Sequence, residues 1–96
     1  MSQEKLYSVV LEYNGGTYIA QVSGESYRAV LPRWISSLDQ RNLASWGISH
    51  SELIQVAGSD EPTAIDGCTN IWCVTGSAKK GLVLINIIAT ESKPEC

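Results

Sequence analysis

Apolar and polar residues alternate through LYSVVLEYNGGTYIAQVS, residues 6–23, on both sides of Asn14-Gly15-Gly16. Alternation with a period of two predicts half-buried strands, and Asn-Gly supplies the positive φ angles of a two-residue hairpin turn. With Asn14-Gly15 at the tip, Tyr13 opposes Gly16, Leu11 opposes Tyr18, Val9 opposes Ala20 and Tyr7 opposes Val22. These residues then share one face, while Ser8, Val10, Glu12, Ile19 and Gln21 take the other.

The period then changes. Leu31, Trp34, Ile35 and Leu38 fall at i, i+3, i+4 and i+7, an apolar helical stripe behind Pro32 in a first turn. Leu43 and Trp46 resume it, and Gly47 stops it with Ile48 packing back. One helix over residues 31–46, bent near 41, is expected. Ser49 and Glu52 have the spacing of a capping box, so 50–57 reads as a short helix ended by Gly58, with a strand as the other reading. Residues 59–67, SDEPTAIDG, are loop by composition.

A second hairpin follows, NIWCVTG and GLVLINIIAT around SAKK. A four-residue loop between Gly76 and Gly81 pairs Val74 with Val83 and Trp72 with Ile85, and sets Ile71 against Asn86. Residues 82–89 are apolar on both faces except at Asn86, so this strand is expected to be central or covered by a partner. An amide buried there needs a hydrogen-bond partner, such as Thr69 or Thr75. The expected fold is therefore α+β in two layers, one domain spanning 1–96: a four-stranded antiparallel sheet, order β-β-α-(α)-β-β, with helices on one face. Residues 91–96 read as a frayed tail.

Composition narrows the function. The chain has 44% hydrophobic and 18% charged residues, as a globular domain does, and a net charge of -3. From Asn42 to Ala78 there is no Lys or Arg, leaving Glu52, Asp60, Glu61 and Asp66 unopposed. An acidic middle repels phosphate, so no nucleic acid is expected as partner, and a basic protein surface would be drawn to it. No apolar run reaches membrane-spanning length, and no secretory leader opens the sequence, so a cytoplasmic protein is expected. Three cysteines make no disulfide framework, and Cys68 and Cys73 with one histidine make no zinc site. Neither metal nor cofactor is expected.

Candidate catalytic groups find no partners by spacing. His50 reads as an exposed loop histidine, and Cys68 as a thiol without a base or an oxyanion hole. Trp34, Trp46 and Trp72 are many for so small a core, and an indole left at the surface suits a protein contact. The reading is a small protein-binding module: a stoichiometric inhibitor, immunity-type or regulatory protein, with Trp46, Trp72, Asn86, Glu52, Asp60, Glu61 and Asp66 as its binding residues. The alternative is a homo-oligomeric small-molecule binder using the concave sheet face. Enzymatic chemistry, through Cys68 or His50, ranks last. The unprotected apolar strand predicts a homodimer, with the strand's second face or a sheet edge at the two-fold.

The opening YSVVLEYNGGTYIAQVSG resembles the start of HicB-type antitoxins, which also begin with an alternating hairpin running into a helix. Their Pro-Gly-Cys turn after the second strand is replaced here by SGESYRAVLP, and the rest of the chain departs from the pattern.

Overall fold

The computed structural model describes residues 5–59, 62–65, 67 and 70–90, with Ser59 by its backbone alone. The elements are β1 (Lys5–Tyr13), β2 (Gly16–Gly24), α1 (Tyr27–Ser37), α2 (Gln40–Trp46), α3 (His50–Ser59), β3 (Thr63–Ala64), β4 (Ile71–Ala78) and β5 (Gly81–Thr90). The five strands form one antiparallel sheet in the order β2-β1-β5-β4-β3. The α+β class holds, with five strands in place of four. The added β3 is two residues long, too short to show any alternation, and pairs Thr63 with Cys73 at the sheet edge.

The first hairpin has the register its faces demand, from Tyr13 opposite Gly16 to Tyr7 opposite Val22. Asn14 and Gly15 carry the positive φ angles, 52° and 80°. The second hairpin is displaced by two residues from the expected pairing. Its tip is Lys79-Lys80, so Val74 opposes Ile85, Trp72 opposes Ile87 and Cys73, not Ile71, opposes Asn86. Gly81 takes the positive φ, 131°, that lets the shorter turn close. Gly76 is no loop residue: it pairs with Val83 inside the sheet, where Val56 of α3 lies close above it.

The expected single helix is two. α1 begins at Tyr27, and Pro32 sits inside it rather than in its first turn. Leu38 turns extended (φ -76°, ψ 136°), and the Asp39 carboxylate accepts from the Arg41 N–H at 3.0 Å to start α2. The Asp cap explains the break: it satisfies a new helix start where the apolar stripe lapses. Gly47 ends α2 with φ 84°, and the Ile48 N–H reaches back to the Leu43 carbonyl at 3.2 Å. α3 is a helix, not a strand, and it runs through Gly58 to Ser59. Its capping box is complete: the Ser49 hydroxyl accepts from the Glu52 N–H at 3.1 Å, and the Glu52 carboxylate accepts from the Ser49 N–H at 3.0 Å.

The helices cover one face only. Tyr7, Val9, Leu11 and Tyr13 of β1, Val83, Ile85 and Ile87 of β5, and Val74 of β4 meet Val30, Leu31, Trp34, Ile35, Leu43, Ile48, Leu53 and Val56 in the core. Each large aliphatic or aromatic side chain buried there stabilises by about 1.5–3 kcal/mol. Trp34 is 1% exposed at the centre, as its place in the stripe predicts, while Leu38 packs half-buried at the rim. The expectations placed on Asp60, Glu61, Asp66, Cys68, Thr69, Cys96 and the tail 91–96 fall outside the described residues.

Candidate functional site

Because strand side chains alternate, burying the odd residues of β1 and β5 turns the even ones outward. The register then assembles rows across the uncovered face. Ile19, Val10, Asn86, Cys73 and Thr63 lie side by side across all five strands. Below them run Gln21, Ser8, Ile88 and Ile71; above them run Thr17, Glu12, Leu84 and Thr75. Leu6 and Leu82 complete the apolar set. Among the described strand residues on this face, Glu12 alone is charged. Ile19 is 71% and Leu82 62% exposed, while Leu84, Ile88, Ile71 and Val10 shield one another only in part. Nothing among the described residues packs over them.

β5 is the middle strand of the sheet, as expected. Its second face is half-buried among the described residues, and residues 62–65 extend the sheet edge. Asn86 is half-buried, and its amide has no hydrogen-bond partner among the described residues. Water reaches it, so the need for an internal partner is removed. Cys73 sits beside it as a free thiol whose pKa is raised by burial. A thiol held protonated in this way is a weak nucleophile at neutral pH.

Of the other predicted binding residues, Trp46, Trp72 and Glu52 lie on the helical side and at the second hairpin's tip. Trp46 of α2 stacks on Tyr18 of β2 with centroids 4.3 Å apart. Trp72 of β4 stacks on Tyr27 of α1 at 4.4 Å, with the Arg28 guanidinium over the Tyr27 ring. Both indoles are half-exposed, but each fastens a helix to the sheet on the covered side, and such pairs contribute about 0.5–1.5 kcal/mol beyond their burial. The surplus of tryptophan is thus explained by packing. Glu52 is committed internally too. Besides capping α3, its carboxylate accepts the Lys79 N–H at 3.0 Å, and the Lys80 N–H donates to the Tyr13 hydroxyl at 2.7 Å. The Lys79 and Ser49 backbone bonds hold the Glu52 carboxyl below its ordinary value.

His50, the first residue of α3, borders an open groove of about 820 Å3 between α1 and α3. Leu31, Ile35, Ile54 and Ala57 make its wall apolar. Among the described residues no three His, Cys, Asp or Glu come together to hold a metal, and no helix is long and apolar enough to cross a membrane.

Asn86, Val10 and Ile19 stand out singly in the sequence, but not as one surface. The joining needs the β1–β5 pairing, which links the two hairpins across the whole chain and leaves no local trace. No protein-family model matches this chain, and no curated protein and no solved structure matches it, so the hairpin's resemblance to HicB-type antitoxins gains no family.

Proposed function

We propose that this chain is a non-catalytic protein-interaction module of the cytosol that docks a second copy of itself through the open face of the sheet. The observation that carries the reading is the uncovered face, where Ile19, Val10, Leu84, Ile88, Ile71 and Leu82 stand among uncharged polar residues and Glu12 is the one charge among the described strand residues. Monomers seldom leave so many large apolar side chains together on a face open to water. Four long strands about 4.8 Å apart and about 26 Å long give a face of about 500 Å2 per copy. Two such faces bury about 1,000 Å2, where specific interfaces begin. Asn86 lies in the middle row, so a two-fold passing near it brings its amide to the symmetry mate's amide. A lone buried polar pair of that kind fixes register.

Sedimentation equilibrium at low micromolar concentration, with reductant present, tests this. Wild type is expected as a dimer, and Leu84→Lys as a folded monomer. A monomeric wild type with unchanged sedimentation in Leu84→Lys sinks the reading.

The α1–α3 groove favours a second reading, a small-molecule binder. It places the ligand on the helical side rather than on the sheet face. Under that reading Ile54→Glu abolishes ligand binding and leaves the oligomeric state alone.

A further inference from the structure

The sheet has two edges of unequal protection. At one, β3 is two residues long and follows Pro62, which has no N–H to offer. At the other, β2 is nine residues long, pairs with β1 without a bulge, and contains neither charge nor proline. Natural edge strands are blunted by such features, because bare N–H and C=O groups template another strand. The Asn14-Gly15 turn fixes which groups are bare. Tyr13 and Gly16 close the hairpin as a bonded pair, so the even residues of β2 bond to β1 and the odd ones point away. The Ser23 carbonyl is taken by the Arg33 guanidinium at 2.7 Å. The N–H and C=O groups of Thr17, Ile19 and Gln21 remain facing solvent.

We propose that this stretch of β2 captures an extended, uncharged segment of a partner protein as an added antiparallel strand. The claim rests on the protein-interaction reading but not on the sheet face. Side chains of the added strand alternate between two rims, one of them Thr17, Ile19 and Gln21. On one side they meet Ile19, 71% exposed; on the other they meet the Tyr18–Trp46 stack. The segment that fits has apolar residues at alternate positions facing these rims, and no proline where its own groups face the edge.

A second copy does not fit the same edge. Pairing β2 with its own two-fold mate places both helical layers on the same side of one continuous sheet. α1 reaches from Trp72 of β4, on which Tyr27 stacks, to the end of β2, where Arg33 holds the Ser23 carbonyl, and Trp46 of α2 sits on Tyr18. The two layers would meet across a strand spacing of about 4.8 Å. Packed helices need about 8–10 Å between axes. An extended segment brings no helices with it.

The test uses a blocked seven-residue peptide alternating threonine and valine, and reads backbone amide exchange in the full chain. Exchange at Thr17, Ile19 and Gln21 is expected to slow about tenfold at saturating peptide. Leu84→Lys should show the same protection. Ile19→Pro, which removes an outward N–H and spares the β1 ladder, should show none at Thr17 and Gln21. Should Ile19→Pro fail to fold, Ile19→Lys places a charge on the edge and should weaken protection in its stead. Unchanged exchange up to the peptide's solubility limit overturns the proposal. So does protection that appears without peptide and grows with protein concentration, since a second copy then holds the edge. A monomeric wild type that still protects these amides with peptide overturns the face reading and leaves the edge standing.

Discussion

Gly76 looked like punctuation in the sequence and is a packing residue in the structure. A Cβ there would meet the Val56 Cγ atoms at 3.0 and 3.1 Å, so α3 crosses β4 closely enough that an added methyl forces Val56 to give way. Gly76→Ala should lower stability by about 1–3 kcal/mol, read as a shift of the urea midpoint. Trp34 makes the opposite case, a large side chain whose place was legible from its stripe. Trp34→Ala leaves a cavity under the whole helical layer and should cost about 3–5 kcal/mol, enough to unfold much of a marginal domain. An unshifted midpoint in either variant contradicts the packing described. The difference between the two residues is physical. A hydrophobic stripe advertises burial along its own helix, whereas a close approach depends on an element about 20 residues away in sequence.

Among the elements, those governed by local chemistry could be read and those governed by distant partners could not. The Asn-Gly turn set every pair of β1 and β2, and the Ser49–Glu52 box started α3. The Lys79-Lys80 tip was misjudged by two residues because its register answers to Glu52 and Tyr13 as well as to its own turn. The break at Leu38–Asp39 hinged on one capping carboxylate in a weak stretch of stripe. Glu52 joins α3 to this tip, and that junction is pH-sensitive. Its folded-state pKa is lowered by the Lys79 and Ser49 N–H groups from an ordinary 4.5. Its contribution is therefore complete above that value and is lost as pH falls through the lowered one. The gap in thermal midpoint between wild type and Glu52→Gln should be wide at about pH 6 and narrow as the pH falls through the lowered value. A gap that stays constant would mean the carboxylate's charge does not matter to the junction.

At the scale of the whole molecule, the sheet has a dressed side and a bare one. If a second copy covers the bare side, Cys73 in its middle row becomes shielded. Alkylation of Cys73, followed by mass spectrometry of its peptide, should then be slow in concentrated protein and quicken on dilution. A rate independent of concentration means the face stays open. The ladder that builds this face has another consequence. β1 and β5, the first and last strands, are neighbours at the heart of the sheet, and every contact between them spans most of the chain. Closing so long a loop before any reward makes folding slow. A chain emerging from the ribosome can form its first hairpin and its helices, but the core they surround has no middle until residue 90 is out. During synthesis β1 keeps one edge unpaired until β5 arrives. The protein's most vulnerable moment is thus its birth, when the strand that will lie deepest has waited longest for its neighbour.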